Sequence, residues 1–112
     1  MSQFVEVKTA ELTGPALDWA VAQVEGVACT PHTIERFYRP STDWVQGGPL
    51  LSEMKVDLTH GESTIYATIC TEDCEYKEGR GPTELIAICR AIVAAKLGDT
   101  VRVPPELVGV RP

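Results

Sequence analysis

Two stretches of the chain, residues 17–24 and 85–93, place apolar side chains three and four positions apart. This is the spacing of one face of an α-helix. Each stretch follows a Gly-Pro pair, and proline is favoured in the first turn of a helix because the missing N–H would have no intrahelical acceptor there. Gly26 and Gly98 then supply natural helix ends. The pattern predicts two main helices, with the second beginning at Pro82.

Around these helices the chain shows the two-residue alternation of β-strands. Residues 3–8, 55–58 and 64–70 are the predicted strands, and residues 101–103 predict an edge strand. The turn-rich segment 59–63 between two of them indicates an antiparallel hairpin. Consecutive strands with two helices predict an α+β fold, in which two main helices pack on a small, mostly antiparallel sheet.

Residues 27–48 have no sustained period and are interrupted by Pro31 and Pro40, so they predict a short strand followed by a long ordered loop. Disorder is not expected, because disordered segments avoid the density of aromatic residues found here. Residues 72–81 form a polar stretch to which the pattern assigns neither a helix nor a strand. The Gly47-Gly48 pair precedes no segment with a helical pattern.

A length of 112 residues with 44% apolar composition predicts one domain spanning residues 1–112. The formal net charge of −6 argues against tracking a nucleic-acid backbone, which requires clustered cations. The N-terminus has no basic region followed by an apolar run, and no stretch approaches the roughly 20 apolar residues of a membrane span. A cytoplasmic protein with no nucleic-acid or membrane partner is therefore expected.

The four cysteines come without a secretion signal and are expected to be free, buried thiols; they are Cys29, Cys70, Cys74 and Cys89. Three residues separate Cys70 from Cys74, unlike the two of a zinc knuckle, and only His32 and His60 could complete a site. No metal and no cofactor are expected.

The start of the second helix is a candidate anion site. Arg80, Gly81 and Thr83 lie where unpaired backbone N–H groups and the positive end of the helix dipole favour a phosphate. The alternative is that Gly81 or Thr83 only caps the helix and Arg80 is solvated.

The second candidate cluster contains an aromatic side chain, several hydrogen-bonding groups and a glycine pair. Trp44 or Tyr38 would stack a base, Asp43 would accept a hydrogen bond from a base edge or a ribose hydroxyl, and the glycines would allow a close backbone approach. The candidate ligand residues are Arg39, Ser41, Thr42, Asp43, Trp44, Gly47 and Gly48. The alternative is that Trp44 and Tyr38 cover the core while residues 41–43 form a self-bonded turn.

Motifs of known enzyme classes are missing from the sequence. It contains no G-x-S-x-G, no Walker loop, no H-E-x-x-H and no dinucleotide-binding glycine motif. A histidine beside a turn is more often structural than catalytic, so no catalytic residue is assigned. A binding protein is favoured over an enzyme.

Three blocks, residues 11–22, 40–49 and 81–87, resemble the NinX-like family of phage-encoded proteins. Residues 96–99 and 105–107 extend the resemblance over nearly the whole chain. Glu84 replaces the proline usual in the family after Gly-Pro-Thr, and Arg39 stands where a small residue is common.

The resemblance implies a phage origin and carries no established activity with it. By analogy with small phage proteins that trap the nucleotide signals of host defence, the leading hypothesis is an anti-defence sponge for a cyclic nucleotide or ADP-ribose-type signal in the host cytoplasm. The alternatives are a protein–protein inhibitor or adaptor with an acidic surface, and a hydrolase of such a signal. A chain this small has little room for a deep pocket, so a homo-oligomer is also expected. If one ligand contacts both clusters, the two must face one pocket.

Overall fold

The computed structural model describes residues 4–28, 30–31, 33–71 and 73–107. Cys29, His32 and Val108 lie outside the described residues, as does Gln3, the first position of the strand predicted for residues 3–8. In chain order the elements are β1 (Val5–Lys8), α1 (Gly14–Glu25), α2 (Ile34–Phe37), α3 (Trp44–Glu53), β2 (Asp57–His60), β3 (Ile65–Cys70), β4 (Tyr76–Gly81), α4 (Glu84–Leu97) and β5 (Thr100–Val103). Short 3-10 turns cover Thr9–Glu11 and Pro105–Leu107.

The strands form two antiparallel sheets within the described segments. β1 pairs with β5, with Lys8 opposite Thr100, and β2, β3 and β4 follow in that order in the second sheet. The predicted hairpin between β2 and β3 is confirmed, with Leu58 opposite Ala67. The α+β class is confirmed, although the strands divide between two sheets instead of forming one.

Helix α4 lies at the centre of the molecule, packed on β3, β4 and α1. It begins where the sequence places a cap, because the Thr83 hydroxyl accepts a hydrogen bond from the Ile86 amide at 3.2 Å. Its apolar side chains are buried along most of its length, including Ile88 and Ile92 at 0% exposure. The core therefore surrounds α4, and the start of this helix is held firmly in place.

Strand β4 lies within the polar stretch 72–81, where the sequence pattern assigned no strand. Its inward positions are Gly79 and Gly81, which are both buried. A Cβ atom on Gly79 would lie 2.3 Å from the Ala91 nitrogen of α4. The helix thus packs directly on the strand backbone, and the strand shows no apolar alternation because glycine occupies the inward positions.

Helix α3 corrects the prediction of a loop through Gly48. The Asp43 side chain accepts a hydrogen bond from the Val45 amide at 3.0 Å and so caps the helix. Gly47, Gly48 and Pro49 all lie inside α3. These three residues disfavour a helix intrinsically, so contacts with the rest of the fold determine this one.

The described cysteines are free, but only one of them is buried as predicted. Cys89 lies in the core, whereas Cys70 and Cys74 are exposed at the end of β3 and in the turn that follows. Burial, with a smaller contribution from the nearby Asp18 charge, raises the pKa of the Cys89 thiol far above its usual range.

The cysteines therefore differ in their expected reactivity. A maleimide at neutral pH should label Cys70 and Cys74 in the native protein, because their thiols are accessible to the reagent. It should label Cys89 only after unfolding, since this thiol is buried and remains protonated. Peptide mass mapping before and after adding denaturant will test this; rapid native labelling of Cys89 would contradict its placement in the core.

Helices in the described segments lack the combination of length and apolar character needed to cross a bilayer.

Candidate functional site

The segment before α3 is anchored to the core by a buried carboxylate. Asp18 of α1 is only 3% exposed, and its Oδ1 accepts a hydrogen bond from the Ser41 backbone amide at 2.8 Å. Burial raises the pKa of Asp18, while contacts with Ser41 and the charge of Arg39 oppose part of the shift. The anchor fixes the backbone three residues before Trp44.

A second brace ties α2 to α3 through the side chain of Gln46. Its Nε2 donates to the Phe37 carbonyl at 2.8 Å, and its Oε1 accepts from the Arg39 amide. The Arg39 carbonyl in turn accepts from the Thr42 and Asp43 amides at 3.1 and 2.8 Å. Residues 37–46 therefore form a closely hydrogen-bonded loop, which we call the braced loop.

The two candidate glycines differ in their surroundings. Gly47 is buried, and a Cβ atom there would lie 2.1 Å from the Pro40 carbonyl oxygen and 2.9 Å from Leu85 Cδ2. At Gly48 the nearest atom would be Trp44 Cε3, at 3.3 Å. Gly47 thus serves the packing of α3 on the braced loop, and Gly48 lies beside the Trp44 ring.

The braced loop, which includes the first turn of α3, exposes large apolar side chains. Trp44 is 54% exposed, Val45 83% and Phe37 65%. Tyr38 packs against the core, as the alternative interpretation of the cluster predicts. Trp44 does not cover the core. Large apolar side chains grouped at the surface are typical of a binding surface.

A shallow depression of about 210 Å³ brings part of both predicted clusters together. The hydroxyl residues Ser41, Thr42 and Thr83 line it together with Trp44. Leu85 and Ile86 of α4 complete its lining. Asp43 acts at this place by capping α3 with its side-chain carboxylate, and Gly47 acts by allowing close packing.

Arg80 lies elsewhere. Its Nε donates to Glu78 Oε1 at 3.0 Å, and its guanidinium carbon lies 5.3 Å from the centre of the Tyr66 ring. Arg80 lines a separate cavity of about 580 Å³, which we call the inter-sheet cleft. Gly81 is buried, and a Cβ atom there would lie 2.6 Å from Ile86 Cγ2, so its role is also in packing.

Three residues that support the Trp44 depression or line the inter-sheet cleft were not identified from the sequence. Asp18 lies within α1, whose residues 16–22 are all buried, and helical periodicity alone does not reveal a helix buried on so many sides. Arg90 and Lys8 line the inter-sheet cleft. The one signal for Arg90 in the sequence is that a charged residue interrupts the apolar helical pattern of α4.

The described segments hold no group of three or more His, Cys, Asp or Glu side chains suited to a metal ion. His60 Nε2 lies 3.3 Å from Glu84 Oε2, and both side chains are well exposed. The Glu84 backbone amide and His60 together lower the pKa of Glu84. This pair lies at the start of α4, where a carboxylate interacts favourably with the helix dipole.

Comparison with known proteins gives one family. The family model described as bacteriophage P22, NinX matches residues 8–96. This range includes the braced loop, α3 and nearly all of α4. No curated protein matches the chain.

Proposed function

Because the chain belongs to the bacteriophage P22 NinX family, we propose that this phage accessory protein binds and sequesters a small phosphorylated ligand of nucleotide type. In this proposal it acts in the host cytoplasm and removes a nucleotide signal made by a host defence enzyme. The observation that carries the proposal is the half-exposed Trp44 ring beside the hydroxyl residues of the depression.

Trp44 is suited to stack a base. One region of its ring lies beside Gly48, while 54% of the residue remains accessible to solvent. Thr42 and Thr83 lie in the same depression and supply hydroxyl groups that donate or accept hydrogen bonds. Stacking on an aromatic side chain contributes about 1–3 kcal/mol for each base.

The braces favour binding by fixing the loop before a ligand arrives. The Asp18 carboxylate holds the backbone at Ser41, and the Gln46 side chain holds it at Phe37 and Arg39. A surface ordered in advance loses less conformational entropy on binding. The rigidity of this loop therefore supports a recognition role.

The size of the depression limits what it can hold. A volume of about 210 Å³ is below the roughly 300–1,000 Å³ of typical ligand pockets. We infer that the depression receives a base, and that the phosphates lie outside it, toward the exposed Arg39. A second protomer would enclose such a ligand, so a homo-oligomer remains part of the proposal.

Replacing Trp44 should weaken ligand binding without unfolding the protein. In titration calorimetry against a panel of cyclic nucleotides and ADP-ribose derivatives, Trp44→Ala should raise the Kd of any ligand bound at the depression about tenfold. Its melting temperature should stay close to that of the wild type, because Trp44 is largely exposed. Release of the bound ligand by heating, followed by mass analysis, will separate sequestration from hydrolysis: intact ligand supports sequestration.

The matched control is Val45→Asp at the neighbouring, more exposed position. It should leave binding of a stacked ligand nearly unchanged. If the whole panel fails to bind the wild type, the nucleotide proposal is wrong.

A protein partner is the second candidate function, favoured by the exposure of Phe37 and Val45. The depression accounts for Trp44 but not for these two side chains. Exposed aromatic residues near arginines, here Arg36 and Arg39, are frequent anchors of protein interfaces. A partner would be sensitive to Val45→Asp, so this variant distinguishes the two functions.

A further inference from the structure

The inter-sheet cleft has a volume of about 580 Å³. It lies between the edge strand β4 and the paired ends of β1 and β5, where Lys8 is opposite Thr100. Arg90 and Ala94 of α4 contribute to its lining. Its volume falls within the range of small-molecule sites.

Arg90 of this cleft forms no ion pair within 4.0 Å with a described carboxylate. Its Nε donates to the Leu12 carbonyl at 2.8 Å, and its Nη1 donates to the Arg80 carbonyl at 2.7 Å. Both partners are uncharged. A guanidinium has five N–H donors, so these two bonds fix its orientation and leave three donors for another group. Partial burial also lowers the pKa of Arg90.

The other charges of the cleft leave an excess of cations. Arg80 is paired with Glu78 at 3.0 Å. Lys8 has no carboxylate within 4.0 Å in the described part of the chain. Three cations, Lys8, Arg80 and Arg90, stand against two carboxylates, Glu78 and Asp99, so the lining of the cleft carries a formal charge of +1 on a protein whose formal net charge is −6. Asp99 lies on the same cleft and can accept hydrogen bonds from hydroxyl groups.

We propose that the inter-sheet cleft is a second ligand site, which binds a small phosphorylated polyol with its phosphate on Arg90 and Lys8. The fixed guanidinium of Arg90 offers the paired donors that a phosphate accepts. Asp99 accepts from the hydroxyl groups of the ligand. The site is independent of the Trp44 depression and does not rest on the function proposed there.

Ribose 5-phosphate, ribose and inorganic phosphate are the probes that test the site by NMR. Titration of the full chain with ribose 5-phosphate should shift the backbone amides of Thr9, Gly79 and Thr100. Inorganic phosphate should shift the same amides with lower affinity, and ribose should not shift them. Equal shifts with ribose, or shifts confined to other parts of the chain, would overturn the proposal.

Charge variants test the two cations separately. Lys8→Gln should weaken ribose 5-phosphate binding about threefold, as expected for an exposed pair. Arg102→Gln is its control, because it removes the same charge from an exposed position on β5 outside the cleft. Arg90→Lys keeps the charge but loses the planar guanidinium, and binding should weaken about tenfold.

The failure of this proposal can be distinguished from that of the first. Trp44→Ala should leave ribose 5-phosphate binding at the cleft unchanged. Equal effects of Lys8→Gln and Arg102→Gln would show that only the net charge matters, and would refute the cleft site. If Arg90→Lys unfolds the chain, as judged by circular dichroism, the comparison of Lys8→Gln with Arg102→Gln still decides.

Discussion

Gly47→Ala should lower the free energy of unfolding by about 2–3 kcal/mol, as overpacking of a core does. The added methyl group would lie 2.1 Å from the Pro40 carbonyl oxygen and 2.9 Å from Leu85 Cδ2. The backbone of the braced loop cannot move away without straining the Ser41 amide bond to Asp18. Replacing a helical glycine by alanine normally stabilises by roughly 1 kcal/mol, so the clash must exceed that gain. Urea denaturation will measure the net effect.

Gly48→Ala is the matched control in the same helix. Its methyl group would approach only the Trp44 ring, at 3.3 Å, and an exposed ring can shift by a few tenths of an ångström. The gain in helix propensity should then offset the contact, leaving the stability within about 1 kcal/mol of the wild type. Equal losses for the two variants would show that helix α3 does not pack on the braced loop as described.

The main helices could be predicted because their local signals agree with their environment. Helix α4 has a capping threonine at position 83, an apolar pattern and a glycine at its end, and the core lies on the side that the pattern indicates. Local preference and tertiary packing favour the same structure there, so the sequence alone was sufficient.

Strand β4 and helix α3 could not be predicted because tertiary contacts override local preference in both. The buried positions 79 and 81 of β4 are glycines, which allow the close approach of α4. Without side chains at these positions, the strand lacks the usual alternation of apolar and polar residues. In α3, the close contact with Pro40 requires glycine at position 47. In the sequence, the same glycine favours a loop. Glycine marks a close approach in both elements, but the sequence does not show which element approaches.

Only part of the candidate cluster lies together in the structure. Ser41, Thr42, Trp44 and Thr83 do line one depression, since the clusters lie at the starts of two neighbouring helices. Arg80 precedes Thr83 by three residues, but it belongs to a strand, and its side chain lies over Tyr66. The strand assignment missed at β4 thus also misplaced the arginine.

Asp18→Ala should destabilise the protein by about 1–3 kcal/mol, because it leaves the buried Ser41 amide without its acceptor. Asp18→Asn should cost much less, since the amide oxygen can still accept that bond and no charge is buried. The pair of variants therefore separates the hydrogen bond from the ionisation of the carboxyl group. Both should be measured by chemical denaturation at neutral pH, with the wild type as reference.

The same variants predict how stability depends on pH. Burial raises the pKa of Asp18 in the folded state above its ordinary value of 3.8. At a pH between the ordinary pKa and the raised pKa of the folded state, the folded chain binds more protons than the unfolded chain. The contribution of Asp18 to stability therefore falls as the pH rises. Asp18→Asn lacks this group, and its stability relative to the wild type should therefore increase from pH 4 upward until Asp18 is fully ionised. A constant difference between the two proteins from pH 4 to pH 8 would show that folding does not raise the pKa of Asp18.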